Sequence, residues 1–133
     1  MRRLLLLAFM IGLISTFIGV VRLYARAVDI SGTWAFSVDL ETGEHGNPTF
    51  VFTQKGESLM GTYKGPLGEQ KVSGTMKGKK VVFSFNFSRD GQTFKAIYTG
   101  IIETPIKMTG AVEFSTGARG KWTATKKDRK SVV

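Results

Sequence analysis

The sequence predicts an all-β protein: a single antiparallel up-and-down β-barrel of about eight strands, preceded by a signal peptide. Three observations carry that expectation. No stretch beyond residue 27 keeps apolar residues at helical spacing, whereas period-two alternation runs throughout. The alternating runs are separated by short connections rich in glycine, proline, aspartate and asparagine, which leave room only for neighbours pairing with neighbours. A short phrase of glycine, threonine and a bulky residue keeps returning: "SGTW" at 31–34, "MGTY" at 60–63, "SGTM" at 73–76 and "GKWT" at 120–123.

The first 27 residues stand apart. Arg2 and Arg3 form a charged start, Leu4 to Val21 is apolar, and Ala25-Arg26-Ala27 is an A-x-A cleavage site. This is a secretory signal cut after Ala27, and it sends the chain to the periplasm or the exterior. The apolar run has 18 residues, close to the length of a spanning helix, so the alternative is an inner-membrane anchor formed by residues 4–21. The domain organisation is then a leader at 1–27, a β-barrel domain at 28–126 and a basic tail at 127–133.

Eight strands are expected at about 31–40, 48–55, 58–65, 70–77, 80–88, 92–102, 105–115 and 119–126. The turns between them are "TGEHGNP", "KGES", "GPLGE", "KGKK", "RDGQ", "ETP" and "STGAR". Asp90-Gly91 is a strong signal for a two-residue type I′ hairpin. With no helix to cover the apolar face of such a sheet, closure into a barrel buries that face and removes both edges. The inward register then reads Trp34, Phe36, Val38, Phe50, Phe52, Tyr63, Val72, Met76, Phe83, Phe85, Phe87, Phe94, Tyr98, Met108, Val112, Phe114 and Trp122. Gly61, Gly74, Gly100 and Gly110 share this register. Glycine weakens a strand, so its repeated use points to backbone that bends or closes up, with open interior space as the alternative.

Beyond Ala27, removing Arg2, Arg3, Arg22 and Arg26 leaves 15 basic residues against 10 acidic, a net charge of +5. Part of the excess lies in "KKDRK" (126–130), which suits association with anionic headgroups at an envelope or membrane surface. The chain has no cysteine, so thiol catalysis, thiolate metal sites and disulfides are excluded. His45 is the sole histidine and sits in a glycine-rich turn, where solvent exposure is the expectation; zinc requires three or four committed ligands. Asp39, Glu103 and Glu113 fall in the outward register and form no convergent pair. G-x-S-x-G and phosphate-cradling glycine motifs are absent. No catalytic residue, metal site or cofactor is expected. Inward aromatics and outward bases also argue against nucleic acid, whose single-strand platforms need exposed rings between basic residues.

Gly32-Thr33-Trp34 resembles the G-x-W signature of lipocalins, and its pairing with "MGTY" resembles the avidin family, which share eight-stranded meander barrels. The resemblance implies that Trp34 plugs one barrel end with Lys126 across it. It also implies that Phe36, Tyr63, Phe85, Tyr98 and Trp122 face an interior able to take a small apolar ligand. The polar residues that hold biotin in avidins are replaced here by Phe36 and Leu40, and only Tyr63 matches a ligand-contacting position, so biotin binding is not expected. The functional expectation is an exported, non-catalytic barrel that binds a small apolar molecule or a partner at its rim. Its alternatives are an envelope-associated structural or inhibitor-like module with a fully packed core and, behind both, a barrel-type enzyme.

Export predicts that mature protein begins Val28-Asp29-Ile30 on N-terminal sequencing. Recovery of the full-length chain in the membrane fraction would indicate the anchor instead.

Overall fold

The computed structural model describes residues 28–127. The leader, its cleavage or anchoring, and the tail from residue 128 lie outside the described residues. The strands are β1 Gly32–Leu40, β2 His45–Gly46, β3 Thr49–Lys55, β4 Ser58–Gly65, β5 Gly68–Lys77, β6 Lys80–Arg89, β7 Gln92–Thr104, β8 Lys107–Phe114 and β9 Arg119–Lys126. All neighbours pair antiparallel in the order β2-β1-β3-β4-β5-β6-β7-β8-β9, and β1 also pairs with β9, from Trp34↔Lys126 to Leu40↔Gly120. Eight long strands thus close into a barrel, as the alternation implies.

β2 corrects the reading of 42–48 as a simple turn. β1 is longer than its partner: only Gly32–Ala35 pairs with β3, at Phe52–Thr49. The upper half of β1 therefore has spare donors and acceptors on that side, which a buried or half-buried backbone cannot leave unmet. Phe36 N–H donates to the Pro48 carbonyl at 3.0 Å and Leu40 N–H to that of Glu44 at 2.9 Å, while His45–Gly46 pairs with Asp39–Val38. The segment folds back as a flap over the end of β1. The Asp90-Gly91 hairpin has φ of +54° and +80°, the two left-handed residues that a type I′ turn requires.

Every residue of the expected inward set is buried except Phe94 and Phe114, which are half-buried at one rim. Ile30, Leu59, Val81, Ala96, Ile102 and Ala124 complete the core. No buried side chain of the described residues is charged, and with no cysteine the barrel is held by apolar burial, about 1.5–3 kcal/mol for each large side chain.

The glycine row is closed space. A Cβ on Gly61 or Gly74 would collide with the carbonyl oxygen of Val51 or Val82 on the neighbouring strand. On Gly100 it would lie 2.5 Å from the Trp122 indole, and on Gly110 2.7 Å from the same ring. Trp122 thus packs the edge of its six-membered ring against bare backbone of β7 and β8, and its indole N–H donates to the Ala111 carbonyl at 2.9 Å. Coiling of the sheet, rather than room for a ligand, explains these positions.

Valine at Gly74 or Gly110 should therefore destabilise by at least about 1–3 kcal/mol in equilibrium denaturation. Trp34→Ala, emptying a fully buried site, should cost about 3–5 kcal/mol. Neutral behaviour of both glycine variants would mean an interior with open space.

Candidate functional site

Antiparallel pairing assigns each chain segment to one of two barrel ends. One end receives the start of β1 and the turns β3–β4, β5–β6 and β7–β8. It is shut: Ile30, Trp34, Leu59, Met76, Val81, Ile102 and Met108 are all 3% exposed or less. The Trp34 indole N–H donates to the Ile30 carbonyl at 2.9 Å, and Ile30 N–H donates to Gln54 Oε1 at 2.9 Å, which ties the entering segment across the opening. Lys126 is the cross-strand partner of Trp34, with its ε-carbon packed over Gly32. The Asp29 carboxyl is held below its ordinary range chiefly by accepting the Ser31 N–H, with a smaller contribution from the Lys126 ammonium.

The barrel's middle is packed ring on ring. Phe36 lies 4.3 Å from Phe50 and 4.8 Å from Trp122 by ring centroids, and Tyr98 stacks on Phe83 at 5.1 Å. Tyr63 stacks on Phe85 at 4.3 Å. Such pairs add about 0.5–1.5 kcal/mol each beyond the area they bury.

The opposite end is open. A pocket of about 300 Å³ lies between the flap, the β4–β5 turn, the tip of the β6–β7 hairpin and the β8–β9 turn. Its walls are Val38, Leu40, Pro48, Leu67, Phe87, Phe94 and Phe114, its polar rim includes Glu44, His45, Arg89 and Thr116, and Tyr63 and Tyr98 also line it. Leu67 packs its side chain against the edge of the core, its N–H donates to the Tyr63 hydroxyl at 3.3 Å and its carbonyl accepts from Gln70 Nε2 at 2.8 Å. His45 Nδ1 is 2.6 Å from Asp39 Oδ1, which pins the flap to β1. Burial raises both phenol pKa values, that of Tyr98 well beyond the usual tyrosine range, so both phenols are protonated at neutral pH.

Of the five interior aromatics expected to face a ligand, the pocket brings together Tyr63 and Tyr98. Phe36, Phe85 and Trp122 do not line it; Phe36 stacks on Trp122, and Phe85 and Trp122 each pack against Tyr98 in the middle of the barrel, where the glycine row draws the sheet too close for a guest. Trp34 and Lys126 sit at the shut end. The residues that sequence reasoning passed over are the rim set, Leu40, Leu67 and Arg89. Arg89 was legible by parity, since it continues the inward register of Val81, Phe83, Phe85 and Phe87. No group of three or more His, Asp or Glu side chains that could hold a metal lies among the described residues.

No family model and no curated protein matches the sequence. Solved structures do. A redesigned β-barrel is similar with a TM-score of 0.64 and 15% identity, over 74% of this chain and 92% of that one. A de novo designed fluorescence-activating β-barrel has a TM-score of 0.59 at 15% identity, over 77% and 98%. A redesigned β-barrel bound to DFHBI has a TM-score of 0.56 at 15% identity, over 74% and 94%. The likeness is one of fold. It is a closed antiparallel barrel of eight long strands.

Tyr63 and Tyr98 have raised pKa values in the folded state, so above pH 10 the unfolded chain releases protons that the folded chain keeps. Their contribution is fully present below about pH 10 and is lost as pH rises beyond it. In an alkaline titration followed by tyrosinate absorbance, the Tyr98 phenol should ionise only together with unfolding. Ionisation of Tyr98 in the intact barrel at ordinary tyrosine pH would contradict its placement.

Proposed function

We propose that this chain is an exported, non-catalytic β-barrel that binds a small, largely apolar molecule at its open mouth. The observation that carries the reading is the asymmetry of the interior. One end is sealed by apolar side chains, while the other keeps an apolar-walled pocket of about 300 Å³ with a few convergent polar groups. That volume stands at the lower end of the range for small-molecule sites, about 300–1,000 Å³, and suits a body of two or three rings. The similar barrel bound to DFHBI supports the idea that this architecture takes such a guest. Export through the leader, and a basic tail suited to anionic headgroups, put the protein at the cell envelope under this reading.

A second reading is an envelope-associated interaction module. It is favoured by apolar side chains on the outer face, Met60 at 62% and Ile101 at 57% exposure, and by the packed middle of the barrel.

Native mass spectrometry of full chain purified from its own host, and fluorescence titration with the neutral dye N-phenyl-1-naphthylamine, test the proposal. A retained small molecule, or dye binding abolished by Leu67→Trp at unchanged stability, is the expected result. The substitution fills the mouth from a half-buried turn position at the edge of the core, so stability is measured beside binding. Neither a retained molecule nor dye binding in the wild type would favour the interaction module.

A further inference from the structure

We infer that the mouth pocket selects an organic anion, with its ring system between Leu67 and the Phe94–Phe114 wall and its acid group at Arg89. This rests on the pocket reading above and specifies the class of ligand. The polar groups of the pocket are unevenly matched: the Arg89 guanidinium forms no ion pair and the Tyr98 hydroxyl no hydrogen bond among the described residues, whereas His45 is bonded to Asp39 and the Glu44 carboxylate, still charged, accepts from Thr42.

Tyr98 lines the pocket, and its hydroxyl makes no hydrogen bond to any described residue; no fully buried side-chain nitrogen or oxygen of the described residues lacks a partner, so this hydroxyl is open to the pocket and not orphaned in the core. A hydroxyl open to an apolar-walled, ligand-sized pocket is a donor free to meet an acceptor that arrives from outside. The Tyr63 hydroxyl accepts the Leu67 N–H, but its own proton has no acceptor among the described residues. Both phenols are protonated at neutral pH, as any tyrosine is, and so offer donors there.

Arg89 adds the charge. It ends β6 in the inward register, lines the pocket, and forms no ion pair among the described residues, whereas Arg119 is paired with Glu113 and Lys107 with Glu103. His45 is held by Asp39, and Glu44 already accepts the Thr42 hydroxyl at 3.2 Å. A guanidinium at the rim and two phenol protons face an apolar chamber, which suits an acceptor-rich anion.

The test compares two dyes with the same ring system. N-phenyl-1-naphthylamine is neutral, and 1-anilinonaphthalene-8-sulfonate adds one acid group. In low-salt fluorescence titrations of the full chain, the sulfonate should bind about three- to fivefold more tightly, the range for a solvent-exposed ion pair. Arg89→Gln should abolish that preference and leave neutral-dye affinity unchanged, while Lys71→Gln on the outer face should alter neither. Equal binding of the two dyes, or a preference that survives Arg89→Gln, overturns the anion inference while leaving the pocket reading intact. Failure of both dyes to bind overturns the two together.

Discussion

A sheet with one apolar face and no helix to cover it must close on itself, and here closure depends on four strand glycines that let backbone meet backbone. Gly61 and Gly74 sit where a side chain would strike a neighbouring carbonyl, and Gly100 and Gly110 lie against the edge of the Trp122 ring. The indole completes the contact by donating to the Ala111 carbonyl, so the same residue fills the interior and ties β8 to β9. Glycine in a strand costs about 0.5–1 kcal/mol relative to alanine. Burial of the ring cluster it permits exceeds that several-fold.

The rest of the architecture follows from how the closed sheet meets its two ends. At the shut end, residues beside the turns are bulky and apolar, and the entering segment is drawn across by Ile30 and Gln54. At the mouth, β1 outruns β3, and the chain spends the segment 41–48 satisfying the surplus backbone instead of filling the opening. Phe94 and Phe114 are consequently half-buried, and the space they border is the pocket. A ligand site at this end is thus a consequence of strand lengths as much as of side-chain identity.

Much of the fold was legible, because a period of two decides which face a residue takes and the turn residues decide where strands end. Leu59, Val81, Ala96 and Ile102 obey the same parity as the expected inward set and were there to be read. Ile30 was not, since it precedes β1 and is buried by a segment with no periodicity. β2 was illegible for a different reason: it arises from a length mismatch between the strands on either side of it, β1 and β3, which shows only once their pairing is known. The site shows the same division. Parity puts Phe36, Tyr63, Phe85, Tyr98 and Trp122 inside but says nothing of depth, and depth separates the two tyrosines lining the pocket from the three rings packed in the middle. The turn side chain Leu67 at the mouth has no parity at all.

The central claim is that the barrel is sealed and dry at one end and receptive at the other. Methionine-methyl NMR reads this most directly, because Met76 and Met108 are fully buried in the seal while Met60 is exposed on the outer face. On addition of N-phenyl-1-naphthylamine, the Phe94, Phe114 and Leu67 resonances should shift while the Met76 and Met108 methyls stay in place. Shifts at Met76 and Met108 with the mouth residues unmoved would place the guest beneath Trp34 and contradict the account.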